Sequence, residues 1–266
     1  MGLPYRNIVI SQDMIDAYRT ATRDSNPLHE LCALGKQETF ILEQLAQEQA
    51  RRAYRDAACA RYTVEFKHPI PSNTTVTIEL VTHDTDNGTI AGRILRGEKT
   101  AATGTFTYVP NGRGLCPSNY CTDASQLESS ARAAHIELGI PASRFTLSTD
   151  DAFAAALGIG SDIPALRPLA VGLSSAALLD RGKDLIFAER EQGNAPVYTR
   201  HDILLFPNSL DMDTNDELCI FVSFAKQGGR DYRAFTFAEN QEKSPLYAGT
   251  LDLTFVPERI VKRMLR

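Results

Sequence analysis

The sequence predicts an α+β protein in which one long helix, wrapped by a curved antiparallel sheet, occurs twice. Three observations carry this. Segments of period-two alternation fall into two sets separated by turn residues, and a helical segment precedes each set. The two sets also finish alike, at Thr107-Tyr108-Val109-Pro110 and at Thr254-Phe255-Val256-Pro257. A duplicated module of about 120–150 residues, the size of one domain, accounts for all three.

In the first half, Ser11 is a fair N-cap for a short helix that runs toward Tyr18. A longer helix over 38–56 follows, with Phe40, Ile41, Leu42, Leu45, Ala46, Ala50, Ala53 and Tyr54 on its apolar stripe. Its other face carries Glu43, Gln44, Gln47, Glu48, Arg51, Arg52 and Arg55. Strands are expected over 61–68, 76–81, 89–95 and 101–109, and Asp86-Asn87-Gly88 signals a hairpin. In the second half, residues 169–179 are apolar nearly all round, which predicts a buried helix. Strands follow over 201–206, 218–224, 232–237 and 247–256. The expected organisation is a first unit over 1–112, a linker over 113–143 containing a helix at 125–138, and a second unit over 144–266.

Composition bounds the function. The chain has 266 residues, 43% of them hydrophobic and 23% charged, which is ordinary for a globular protein. A net charge of −5 argues against a nucleic-acid partner. No apolar run approaches the length needed to span a bilayer, and the first residues lack the pattern of a signal peptide. Five cysteines at scattered spacing predict free thiols, no metal site and a cytoplasmic location. Phosphate-binding glycine loops and a nucleophile elbow are absent from the sequence. His68, His83, His135 and His201 read as packing or surface residues, and Arg259, Lys262 and Arg263 as a solvated basic tail.

The chemistry concentrates in Asp24-Ser25-Asn26-Pro27-Leu28-His29. Pro27 biases Asn26 away from helical geometry, so Asp24 and His29 flank a tight bend that can aim a carboxylate and an imidazole at one point. Such a pair can hold a water and move its protons. The same string also reads as an ordinary turn, in which Asp and Asn bond their own backbone.

This string resembles the hydratase motif of the MaoC-like, (R)-specific 2-enoyl-CoA hydratase family, and residues 66–76 resemble the strand, proline turn and strand that follow the helix in that family. The resemblance implies the hotdog fold, here as a double hotdog. It implies an acyl-thioester hydratase or dehydratase acting on acyl-CoA or an acyl-carrier protein, with no cofactor, as a monomer or homodimer. Asp24 and His29 would be catalytic, with Asn26 supporting them on the substrate side. Two departures stand out. Arg23 replaces the usual glycine before the aspartate, and no His-Gly-Met sequence opens the first long helix. Arg167-Pro168-Leu169-Ala170-Val171-Gly172-Leu173 resembles that missing helix start, which makes Gly172 the candidate oxyanion donor and Gly35 or Lys36 its competitor. Two alternatives keep the fold: an acyl-CoA thioesterase using Asp24, and a non-catalytic acyl-thioester-binding protein.

Overall fold

The computed structural model describes residues 3–30, 32–33, 35–109, 143–148, 150–157 and 166–265. The expected linker helix, with Cys116, Cys121 and His135, lies outside the described residues. The described part of the first half runs β1 (Tyr5–Ile10), α1 (Gln12–Thr22), a 3-10 turn (Pro27–Glu30), α2 (Gly35–Ala53), β2 (Ala58–Phe66), β3 (Thr74–Asp84), β4 (Thr89–Arg96) and β5 (Lys99–Val109). The second runs β6 (Ser143–Thr146), α3 (Asp151–Ala156), α4 (Leu166–Gly172), α5 (Ser174–Arg181), α6 (Lys183–Glu191), β7 (Asn194–Leu205), β8 (Glu217–Gly228), β9 (Asp231–Asn240), β10 (Pro245–Pro257) and α7 (Glu258–Met264).

All strands join one ten-stranded antiparallel sheet in the order β1-β3-β4-β5-β2-β7-β10-β9-β8-β6. Read outward from its middle, each half repeats the same order, so β2 matches β7 and β5 matches β10. The seam is the β2–β7 pair, in which Tyr62 faces Ile203 and Val64 faces His201. Arg61 grips Asp202 across it with two hydrogen bonds of 3.0 and 3.1 Å. The hairpin at Asp86-Asn87-Gly88 forms as its sequence predicts. Gly88 has a φ of +61°, and a Cβ there would come within 2.4 Å of the Tyr108 carbonyl. Ser11 Oγ accepts from the Met14 amide and caps α1.

The sheet wraps α2. Gly92 and Gly104 are partners across β4 and β5. A Cβ on either would sit 3.0 Å from a methyl group of Leu42, so the paired glycines form the trough in which that side chain lies. The expected polar face of α2 is a correction: Glu43, Gln44 and Gln47 are buried, because the second half covers that face. Glu48 and Gln49 are partly exposed, and Arg51 and Arg52 at the end of α2, with Arg55 just beyond it, reach solvent. Gln37 spans the layers, its Nε2 donating to the carbonyls of Met14 and Ala156 at 3.2 Å each. The second-half helix is also less simple than its sequence suggests. Leu173 separates α4 from α5 but keeps helical angles (φ −60°, ψ −18°), and Gly182 ends the run. No described helix is long and apolar enough to cross a membrane.

Because Leu42 lies against bare backbone, Gly104→Ala is expected to destabilise the fold by about 1–3 kcal/mol through overpacking. The double variant Gly104→Ala/Leu42→Ala should lose less than the sum of the two single losses, since each change relieves the other. Guanidinium denaturation of the four proteins measures the coupling. Strict additivity would show that the trough does not set the helix position.

Candidate active site

The loop that carries the motif is built by local hydrogen bonds. After α1, Arg23 turns left-handed at φ +53°. The Arg23 amide donates to Thr20 O at 3.3 Å and the Asp24 amide to Arg19 O at 3.1 Å. This is a helix end of the kind glycine usually makes, and a side chain costs about 1–2 kcal/mol there. The Arg23 guanidinium recovers part of that by lying 5.4 Å from the centre of the Phe145 ring. Asp24 Oδ1 then accepts from the Asn26 amide at 2.9 Å, Asn26 Oδ1 accepts from the Leu28 amide at 3.1 Å, and Asn26 O accepts from the His29 amide at 3.1 Å. The turn chemistry is therefore real, and it is what aims the side chains. Asn26 Nδ2 reaches Pro196 O at 3.4 Å and ties the loop to β7 of the other half.

Asp24, Asn26 and His29 come together. His29 Nε2 lies 3.6 Å from Asp24 Oδ2, and both side chains are buried. Neither ring nitrogen of His29 is hydrogen-bonded among the described residues. Burial lowers the His29 pKa, the Asp24 carboxylate opposing this and Arg19 reinforcing it. A neutral imidazole beside a carboxylate is poised to accept a proton.

His29 and Asn26 line a cavity of about 250 Å³. Its walls are mostly apolar, with Leu28, Phe66, Val197 and Val256 among them, and Val261 and Met264 of α7 add to them. Thus the basic C-terminal segment, expected as a solvated tail, is a helix with exposed Arg259, Lys262 and Arg263 whose inner face closes on the cavity. The start of α2 also faces the cavity through Gly35 and Glu38. The first four amides of a helix have no intrahelical partner, so the α2 start presents donors of partial positive charge.

Gly172 lies elsewhere. It is the seventh residue of α4, beyond the four amides a helix leaves free, and it does not line the cavity. The residues that resemble a helix start do span the beginning of α4, but Gly172 stands at its far end. Pro168 sits in the first turn of α4, where its missing N–H removes nothing. Gly172 is instead a contact point with α1: a Cβ there would come 2.5 Å from Thr22 Cγ2 and 3.0 Å from the Tyr18 hydroxyl.

Sequence patterning assigns no role to Tyr198 or to the Glu38 side chain, names Lys36 only as a competing oxyanion donor, and makes His201 a packing or surface residue. Lys36 is buried, with Nζ donating to Val171 O at 3.1 Å and to Ser174 Oγ. Burial brings its pKa down to about 7, against the pull of Asp24. Tyr198 lines the cavity and its hydroxyl donates to Ser175 Oγ at 3.3 Å. His201 is wholly buried, with the rings of Phe66 and Tyr198 edge-on at 4.7 and 4.9 Å. Glu38 is buried, and its Oε2 has no partner among the described residues. Burial pushes its pKa well above the carboxylate range. The helix N-terminus favours the charged form by at most about 2 kcal/mol, whereas desolvating an unpaired carboxylate costs several, so the balance moves toward the acid form. The signal for Glu38 was its spacing: it stands three residues after Gly35, on the same helix face.

No family model matches the sequence, and no curated protein matches it. Solved structures do match in fold. A MaoC-like dehydratase superposes with a TM-score of 0.53 at 12% identity, over 96% of this chain and 98% of the other. The dehydratase domain of PpsC from Mycobacterium tuberculosis, solved with C12:1-CoA, matches with a TM-score of 0.50 at 13% identity, over 85% and 86%. The tesB protein of Mycobacterium avium subsp. paratuberculosis matches with a TM-score of 0.50 at 18% identity, over 85% and 88%. The chain has the hotdog-type α+β fold.

The buried histidines make the fold sensitive to acid. Burial holds His201 well below its ordinary pKa, Lys36 adding to the push. Below the unfolded value of about 6.5, the unfolded chain binds a proton that the folded chain refuses, so stability falls as pH falls. The slope is at most about 1.4 kcal/mol per pH unit for one proton. Denaturation midpoints are expected to drop from neutral pH to about pH 5, and to drop less in His201→Leu, in which His29 still contributes and the buried Glu38 and Glu43 act in the opposite direction. Parallel curves for the two proteins would remove His201 from this role.

Proposed function

We propose that this chain is an acyl-thioester hydratase or dehydratase that uses Asp24 and His29 as its acid/base pair. The observation that carries the reading is the approach of His29 Nε2 to Asp24 Oδ2, at 3.6 Å, beside an apolar cavity that the N-terminus of α2 also faces.

In hydration, neutral His29 accepts a proton from a water as its oxygen bonds to C3 of a 2-enoyl thioester. The negative charge of Asp24 stabilises the imidazolium that forms. Electron density moves through the double bond onto the thioester oxygen, and the imidazolium then gives its proton to C2, so that H and OH of one water have been added across C2 and C3 and His29 is neutral again. Dehydration is the same path reversed. The oxygen that gathers charge needs donors, and the free amides at the start of α2, at Gly35 and Lys36, are the candidates. Gly172 is the less favoured donor, because its amide lies inside a helix. The apolar walls suit an acyl chain, and the thioester is carried by coenzyme A or by a carrier protein. The PpsC dehydratase domain supports that substrate class through its complex with C12:1-CoA. The steps are addition of a water oxygen to C3 and proton transfers, with no change of oxidation state, so the reading calls for no cofactor. A monomer already supplies both halves of the site.

The test is incubation with crotonyl-CoA and longer 2-enoyl-CoA esters, following enoyl-thioester absorbance beside a free-thiol assay. Absorbance is expected to fall without thiol release. Asp24→Asn and His29→Ala should each lower the rate by about 10²–10⁴-fold. Thiol release in place of hydration would make the protein a thioesterase, as the fold shared with the tesB protein allows. Binding without either reaction would make it an acyl-thioester-binding protein.

A further inference from the structure

Glu38 has no part in the chemistry just described, yet it is placed to touch the substrate. It is 4% exposed, lines the same cavity as His29 and leaves Oε2 without a partner among the described residues. A buried polar atom without a partner, on a residue that lines a cavity, is a candidate for contact with a polar group held there. Gly35 and Glu38 stand three residues apart on α2 and both line the cavity, so a group held at the Gly35 end of the helix is within reach of the Glu38 side chain. The ring of Phe66 packs on Gly35, where a Cβ would come within 3.2 Å of it, so the start of α2 has room for this ring only because residue 35 has no side chain. Among the described groups, none places a cation against Glu38 that would hold it as a carboxylate.

We propose that Glu38 donates a hydrogen bond from its carboxyl group to the thioester oxygen, beside the backbone amides at the start of α2. The Glu38 O–H stays on Glu38 throughout, and no bond to it is made or broken. Its effect is to stabilise the charge that the oxygen gathers, as an oxyanion donor does. It stands in for the helix-start sequence that this chain lacks. The inference rests on the reading that the cavity holds an acyl thioester, and it holds equally for hydration and for thioester hydrolysis.

The experiment separates the two ideas. The probe is a coenzyme A ketone analogue in which CH₂ replaces the thioester sulfur of a saturated acyl group, so that neither reaction can occur. The infrared carbonyl stretch of the bound analogue is read in wild type, Glu38→Gln and Glu38→Met, with thermal melting to confirm folding and Glu38→Leu in reserve. The expected result is a low-frequency shift in wild type that is largely kept by Glu38→Gln, whose amide still donates, and reduced in Glu38→Met. Affinity should fall by no more than about tenfold, the loss of one hydrogen bond. In turnover, Glu38→Met should lose about 10²–10³-fold in kcat and Glu38→Gln much less. An unchanged carbonyl shift in Glu38→Met overturns the proposal. Equal loss of kcat in Glu38→Gln and Glu38→Met also overturns it, because a proton would then be moving through Glu38. A shifted carbonyl in a wild type that turns over no ester sustains the Glu38 contact and removes the hydratase reading. Failure of wild type to bind the ketone overturns both.

Discussion

The pairing of β2 with β7 is the constraint on which the rest depends. It joins two five-stranded halves into one sheet and is clasped by the Arg61–Asp202 pair. That pair is partly exposed and contributes little by itself, in the range of about 0–1 kcal/mol for surface ion pairs. The strength of the seam lies in what it buries: Tyr62, Val64, His201 and Ile203 are all inaccessible to solvent. The same β7 that pairs through residues 200–204 continues back through Tyr198 and Pro196, where it walls the cavity and takes the hydrogen bond of Asn26. The acid/base loop belongs to one half and its wall to the other, so without the seam there is no site.

Closing the two halves over α2 has an electrostatic consequence. Lys36, Glu38 and Glu43 sit on a helix that has no solvated side at these positions. Each can be charged only against the cost of desolvation, and each has its pKa moved toward the neutral form. Lys36 still finds two acceptors, Val171 O and Ser174 Oγ, and through them fixes the start of α2 against the turn between α4 and α5. Glu38 finds none for Oε2. Two ionisable groups two residues apart thus divide the work: one locks the halves together, the other is left facing the cavity. Structural polar groups in a folded core are normally satisfied, so the unsatisfied one is the better candidate for ligand contact.

What the sequence made legible was local. Alternation revealed the eight long strands because each has one buried face, and the Asp24–His29 bend could be read because Asp, Asn and Pro define it within six residues. The short edge strands β1 and β6 escaped because an edge needs little hydrophobic pattern, as the exposed Tyr5 and Val9 of β1 show. The rest escaped because it is set by distant chain. Nothing near Glu43, Gln44 or Gln47 announces that the other half covers them. The start of α2 reads as Glu38 by periodicity but lies at Gly35, and those three residues decide whether Glu38 faces water or the cavity. Arg167 to Leu173 resembles a helix start, and a helix does begin at Leu166, but its first turn is over before Gly172 is reached.

The repeat in the sheet also bears on how many sites the chain has. Since β2 matches β7 and α4 follows the second half's short helix as α2 follows α1, the counterpart of the first cavity should lie at the starts of β2 and α4. A cavity is there, lined by Ala57, Ala58 and residues 166–168, but at about 120 Å³ it is half the size of the first. Its lining includes Glu43 and Arg167, and an Arg167 Nη2 donates to Cys59 O. An acyl chain entering there would have to displace a guanidinium already bonded to backbone and would lie against the buried Glu43 as well as Leu166, Leu210 and Met212. Freeing the guanidinium from its acceptor costs about as much as a few buried methylenes return, at about 0.8 kcal/mol each. The first cavity offers about twice the room, and Arg167 reaches into the wall of the second. The repeated strand order is thus used unequally: one half holds the Asp24–His29 loop, and the other supplies the strand against which that loop is set.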